Sequence, residues 1–140
     1  GCLQRIAQKD QCMNMKELRR MPSIKENDNL QVEEYIKGWN WDAASHEFAL
    51  QMGAFLLGFI NSLQASNLSP DTIRKHQSNC WLIGSFECDY GYHDAFTPAI
   101  FLDGPGFIYE FERKVSDSKY AIASYESTWR KIEKYVRASQ

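Results

Sequence analysis

A group of residues suited to metal binding lies in the second half of the chain: His76, Cys80, Cys88, Asp89, His93 and Asp94. Zinc sites usually pair ligands that are two to four residues apart. Neither cysteine has a second cysteine at that spacing. We therefore predict two buried thiols and a loop histidine here, with no metal site.

The same segment contains a candidate thiol–imidazole pair, in which His93 would activate Cys80 or Cys88 for nucleophilic attack. A reactive thiolate is favoured by a helix N-terminus or by nearby cations. Cys80 is expected in the middle of a helix, and Cys88 near a helix C-terminus between Glu87 and Asp89. Both settings disfavour the thiolate, so we predict that neither cysteine is catalytic.

Two further patterns lack parts that their chemistry requires. Adjacent carboxylates such as Glu33 and Glu34 point away from one another on a helix, and Glu110 with Glu112 is interpreted as solvated surface. The glycines of Gly104-Pro105-Gly106 precede a predicted helix, but a phosphate-binding loop would also need a lysine and a preceding strand. We predict no catalytic residue, no cofactor and no enzymatic activity.

Two sets of side chains are candidate contacts with a macromolecule. The candidate nucleic-acid contacts are Arg74, Lys75, Arg130, Lys131 and Lys134. The candidate protein contacts are Trp39, Trp41, Tyr90 and Tyr92, because Trp and Tyr are favoured at binding hot spots. The alternatives are that the basic residues form ordinary solvated helix surface and that the aromatic residues cap the core.

Composition narrows these options. The chain has 140 residues, the usual size of one domain, and its 44% hydrophobic content argues against disorder. A net charge of -2 does not favour DNA, because phosphate contacts supply much of the affinity for nucleic acid. No apolar run approaches the roughly 20 residues that span a bilayer. We therefore predict no membrane segment, and we interpret the four cysteines as free thiols, which predicts a cytoplasmic protein.

The order of apolar residues and helix signals predicts an all-α fold. Residues 1–38 are expected to form a polar arm, helical in part and packed on the body, with a loop at Lys25–Asn29 and a short helix at Gln31–Lys37. The body, residues 39–140, is expected to begin with a helix from Phe48 to Leu63, capped by Asp42 or Ser45. We predict a bundle of about four main helices.

Later signals divide the rest of the body. Ser69-Pro70 predicts the start of a helix that ends near Phe86, before an aromatic loop. Thr97-Pro98 predicts a short helical turn, and Phe107–Val115 a short helix. The spacing from Ile122 to Val136 predicts a last helix that Ser116 or Asp117 caps.

Two segments resemble the N-terminal SAM-like, or core-binding, domain of tyrosine recombinases. Leu68–His76 is similar to the opening of one helix of that domain, and Ser118–Tyr135 is similar to its last helix, so that the resemblance covers about residues 66–138. It implies a four-helix clamp on DNA beside a separate catalytic domain. The sequence departs from the family in its acidic balance, in the segment Cys88–Gly106 and in lacking the catalytic domain.

These patterns together favour a non-catalytic helical interaction module. A protein is the expected partner, and self-association is one form that such binding could take. The alternative is a DNA-binding clamp that resembles the recombinase core-binding domain.

Overall fold

The computed structural model describes residues 26–139, with side chains from Leu30 onward. It confirms an all-α fold for this part of the chain. The helices are α1 (Glu26–Ile36), α2 (His46–Gln64), α3 (Pro70–Tyr90), a 3₁₀ helix (Pro98–Asp103), α4 (Ile108–Lys114) and α5 (Lys119–Ser139). None of these described helices is long and apolar enough to cross a membrane.

The first described helix begins earlier than the sequence predicts. α1 begins at Glu26, so the predicted loop is wrong for residues 26–29, which are helical. The chain divides into two compact units, Gly1–Glu34 and Tyr35–Gln140, and the division falls within α1. The predicted arm over residues 1–25 lies outside the described residues.

α2 buries the predicted apolar face. Its buried residues are Phe48, Ala49, Met52, Gly53, Leu56, Phe59, Ile60 and Leu63. Asp42 does not cap the helix, because its Oδ1 accepts hydrogen bonds from the backbone N–H groups of Ala44 and Ser45 in the preceding turn. Ser45 occupies the N-cap position, but its side chain forms no capping hydrogen bond.

α3 starts as the sequence predicts and ends later. The Thr72 N–H donates to Ser69 Oγ across 3.2 Å, and Pro70 occupies the first turn, where its missing N–H costs nothing. The helix continues four residues beyond the predicted end at Phe86. Phe86 and Glu87 are both buried, so this extra turn belongs to the packed body.

α5 carries the buried seam that the spacing predicts. Tyr125, Trp129, Ile132 and Val136 are buried, whereas Ile122 is half-buried. The cap is Ser118, whose Oγ accepts from the Ala121 N–H. The predicted caps Ser116 and Asp117 are wrong, since Ser116 Oγ instead accepts from the Ser118 N–H in the turn before the helix.

Aromatic rings fill the space between α3, α5 and the short helices. α3 packs on α2 and α5, and the 3₁₀ helix packs on α5. Phe111 of α4 stacks on Tyr125 with 4.4 Å between ring centroids, and Phe101 of the 3₁₀ helix meets the Trp129 ring edge-on at 6.0 Å. A Cβ at Gly104 would lie 2.1 Å from Trp129 Cε3, so only glycine allows the backbone to pass this ring.

Candidate functional site

A buried carboxylate and a histidine meet where α3 ends. Glu87, in the last turn of α3, is only 4% exposed, and its Oε1 lies 2.7 Å from Nε2 of His93. Burial raises the pKa of the Glu87 carboxyl, and the hydrogen bond and charge of His93 oppose that shift. The pair is therefore a desolvated acid with one histidine partner.

The His93 ring is held in place by its surroundings. It stacks on Phe48 of α2 with 5.4 Å between ring centroids and an interplanar angle of 22°. Because the ring is fixed on one side by Phe48 and at Nε2 by Glu87, its position depends on both α2 and α3. His93 lies in the segment between α3 and the 3₁₀ helix, and it contacts the last turn of α3 through Glu87.

Beside this pair lies a cleft of about 260 Å³, which we call the Glu87 cleft. Its lining residues are Glu87, Tyr90, Gly91, His93, Ile100, Asp103, Gly104, Gly106, Phe107 and Trp129. Three of the walls are aromatic, and two of the polar groups are carboxyls. Glu87 Oε2 accepts no hydrogen bond from any residue within 26–139, so one oxygen of a buried carboxyl remains open to a donor.

The backbone around the cleft contains unusual conformations. Tyr92 and Phe107 have φ angles of 54° and 62°, in the left-handed region that side chains disfavour. A Cβ at Gly91 would lie 2.6 Å from Glu87 Oε1, so this glycine permits the close approach of the chain to the acid. Such outliers tend to cluster at functional sites, where the surrounding structure maintains them.

Cys80 and Cys88, the candidate ligands or nucleophiles, both lie in α3 where their surroundings disfavour the thiolate. Cys80 is fully buried in α3, and burial raises its thiol pKa well above the ordinary range. Burial, with the charges of Asp89 and Glu87, raises the pKa of Cys88 to about 12. Across the described part of the chain, no group of three or more His, Cys, Asp or Glu residues is arranged to hold a metal ion.

The candidate nucleic-acid contacts fall into two groups. Arg74 pairs with Asp71 in the first turn of α3, and Lys75 donates to the Tyr120 hydroxyl. Lys131 and Lys134 line a common cleft of about 200 Å³ on α2 and α5. Arg130 is exposed on α5 and does not line that cleft.

The four candidate protein contacts have different surroundings. Trp39 is 4% exposed and donates from Nε1 to the Trp81 carbonyl, so it is part of the core, and the prediction of a protein contact is wrong for it. Trp41 is half-buried and stacks on His46. Tyr90 lines the Glu87 cleft, and Tyr92 is 89% exposed on the adjoining turn. Two of the four therefore lie in or beside one site.

Glu87, the central residue of that site, is not among the candidate site residues that the sequence predicts. Its place beside Cys88 indicates only that it disfavours a Cys88 thiolate. The available signal was its place between Phe86 and Cys88 in a helix that continues past Phe86. Glu87 directly follows the buried Phe86, and His93 comes six residues later, so this spacing is compatible with a buried acid–histidine pair.

No family model, curated protein or solved structure matches this chain.

Proposed function

We propose that this chain is a non-catalytic protein-interaction module whose Glu87 cleft receives a lysine or arginine side chain of the partner. The observation that carries this proposal is the buried Glu87 carboxyl with one oxygen free of protein donors, set in a cleft with aromatic walls. A buried carboxylate is stable only when charge and hydrogen bonds compensate its lost hydration. A cationic side chain supplies both.

The aromatic walls support the same ligand chemistry. Ring faces attract ammonium and guanidinium groups within about 6 Å of the centroid. Lys114 already places its Nζ 5.1 Å from the centroid of Tyr90, which lines the cleft. Asp103 adds a second carboxyl to the lining, so acidic groups and ring faces act together on a cation.

The size of the cleft favours a side chain over a whole metabolite. Sites for drug-sized molecules usually enclose about 300–1,000 Å³, whereas this cleft has about 260 Å³. The exposed ring of Tyr92 adjoins the site and would contact the partner beside the inserted side chain. Tyrosine is favoured at such positions because it offers a large ring and a polar end.

The test uses three short peptides that differ only at one central residue: lysine, arginine or the uncharged norleucine. We expect the lysine and arginine peptides to shift amide NMR signals of Glu87, Gly91 and Phe107 saturably, and the norleucine peptide to leave them unchanged. Glu87→Gln should remove this response, because the amide keeps the shape but loses the charge. Glu47→Gln, at an exposed acid on α2, is the matched control.

Saturable shifts of those three amides with Glu47→Gln but not with Glu87→Gln support the proposal. Equal responses to norleucine and lysine peptides would show that the cleft does not select a cation. Shifts confined to other surfaces would place the binding elsewhere and contradict the proposal.

A second candidate function is a DNA-binding clamp of the recombinase core-binding type. It is supported by Lys131 and Lys134, which line one cleft on α2 and α5, because ammonium groups suit a phosphate backbone. Binding to a generic duplex should then weaken steeply as salt rises. Lys131→Glu with Lys134→Glu should abolish it, whereas Arg137→Gln, at a cation already paired with Glu133, should have little effect. Binding that is absent, or independent of salt, would contradict this function.

A further inference from the structure

Three aromatic side chains form one continuous wall of the Glu87 cleft. The Phe107 ring lies between the other two, 6.3 Å from the Tyr90 ring and 6.4 Å from the Trp129 ring between centroids. The ring planes are tilted by 37° and 43°, so the wall is not flat. Ile100 adds aliphatic surface, and the lining of the cleft is mostly hydrocarbon.

Only part of the polar lining is free to accept from a bound cation. Glu87 Oε1 lies 2.7 Å from His93 Nε2, and the Gly106 carbonyl oxygen accepts from the Tyr125 hydroxyl across 2.8 Å. Glu87 Oε2 and the Asp103 carboxyl remain, because neither forms a hydrogen bond or an ion pair with a residue between positions 26 and 139. A cation in the cleft therefore meets two carboxyl groups and a wall of rings.

This lining suits a partly methylated ammonium group better than an unmodified one. An unmodified lysine ammonium group has three N–H donors and is strongly hydrated. Each donor that faces a ring, rather than water or an acceptor, is left without a full hydrogen bond, which is costly on burial. A methyl group in its place keeps the positive charge and packs on the ring.

The number of open carboxyl groups sets the degree of methylation. A monomethylated ammonium group keeps two N–H donors, one each for Glu87 Oε2 and Asp103, and a dimethylated group keeps one for Glu87 Oε2. A trimethylated group keeps none. A guanidinium group is matched by both oxygens of one carboxylate, and Glu87 offers only one because His93 occupies the other.

We propose that the Glu87 cleft selects a mono- or dimethylated lysine side chain of the partner over unmodified lysine and over arginine. This inference rests on the proposed function and narrows the ligand of the same cleft. The methyl groups contact the ring wall, and the remaining N–H donates to Glu87 Oε2. The exposed Tyr92 ring adjoins the cleft and contacts the peptide chain that carries the lysine. No covalent bond forms or breaks.

The test uses wild-type protein and one peptide sequence whose central lysine is unmodified, mono-, di- or trimethylated, or replaced by arginine. Dissociation constants come from the saturable shifts of the Glu87, Gly91 and Phe107 amide NMR signals. We expect the mono- and dimethylated peptides to bind about tenfold more tightly than the unmodified peptide, within the range of a desolvated cation–π contact. The trimethylated and arginine peptides should bind more weakly than the dimethylated one.

A pair of variants tests the ring wall itself. Phe107→Leu keeps an apolar side chain but removes the central ring, so the dimethylated and unmodified peptides should then bind with about equal affinity. Tyr109→Leu, at a 65% exposed ring on α4 that does not line the cleft, is the matched control and should keep the wild-type preference. Because the wild-type peptide series involves no substitution, it tests the proposal even if Phe107→Leu fails to fold.

The outcomes separate this inference from the proposed function. Equal binding of unmodified and dimethylated peptides, or tightest binding of the trimethylated or arginine peptide, would overturn the selection of methylated lysine and leave the cation site intact. Cleft amides that stay unshifted with all five peptides would contradict both. N,N-dimethylbutylamine carries the same head group without a peptide chain. If it bound as tightly as the dimethylated peptide, the ligand would be a free amine, and the assignment to a partner's side chain would be overturned.

Discussion

At the scale of single residues, two glycines inside helices have contrasting surroundings. A Cβ at Gly58 of α2 would meet only the Tyr135 hydroxyl, at an ordinary 3.5 Å. A Cβ at Gly84 of α3 would lie 2.1 Å from Trp39 Cζ2, inside the volume of a buried ring. Glycine weakens a helix equally at both positions, so the difference lies entirely in packing.

Alanine at these two positions should therefore have opposite effects on stability. Gly58→Ala should raise the free energy of unfolding by about 0.5–1 kcal/mol through helix propensity. Gly84→Ala should lower it by about 1–3 kcal/mol, because Trp39 must move out of a packed position. Urea denaturation of both variants measures the difference. A Gly84→Ala protein as stable as Gly58→Ala would contradict the packing of Trp39 against α3.

At the scale of elements, the ends of α3 depend on different interactions. The first turn depends on the local hydrogen bond from the Thr72 N–H to Ser69 Oγ. The last turn ends at Gly91, whose N–H donates to the Glu87 carbonyl oxygen, and no side-chain cap is formed there. It packs through buried Phe86 and Glu87, with Tyr90 6.3 Å from Phe107 between ring centroids. The sequence could predict the beginning of α3 accurately and its end only approximately for this reason.

Removal of the cap should destabilise α3 measurably. Ser69→Ala should lower the free energy of unfolding by about 1 kcal/mol, because the Thr72 N–H loses its acceptor. Ser78→Ala, at an exposed position within the same helix, is the control and should be neutral or slightly stabilising. Chemical denaturation of the pair tests this. An equal effect of both substitutions would show that the Ser69 hydroxyl does not cap the helix.

At the scale of the whole molecule, the buried acid links stability to pH. The pKa of Glu87 is raised in the folded protein, so the folded state binds the proton more tightly than the unfolded state. Its contribution to stability is full below the ordinary glutamate pKa and is lost as pH rises through the folded value. Ionisation of Glu87 thus disfavours folding towards neutral pH.

Melting temperatures measured from acidic to neutral pH should show this linkage. Wild-type protein should lose stability relative to Glu87→Gln as pH rises above about 4.5. Each kcal/mol lost should lower the melting temperature by about 4 °C. Glu47→Gln should follow the wild type, since Glu47 is exposed. Parallel curves for wild type and Glu87→Gln would contradict a raised pKa at this acid.

The sequence by itself determined the helical character of residues 26–139 and most of the helix starts within them. The apolar spacing of α2 and α5 and the caps at Ser69 and Thr97 act within a few residues, so they can be recognised without knowing the fold. The cap of α5 was misplaced by one residue or more, because three neighbouring residues offered suitable oxygens and only the backbone geometry selects Ser118.

Only the tertiary structure decided which polar residues share a site. Glu87 meets His93 because the chain turns at Gly91, and His76 meets Thr128 from a position 52 residues away. The same packing buries Trp39, a candidate protein contact from the sequence, against Gly84. The burial and pairing of such groups depend on contacts between elements that are distant in the sequence, and local residue spacing does not predict those contacts.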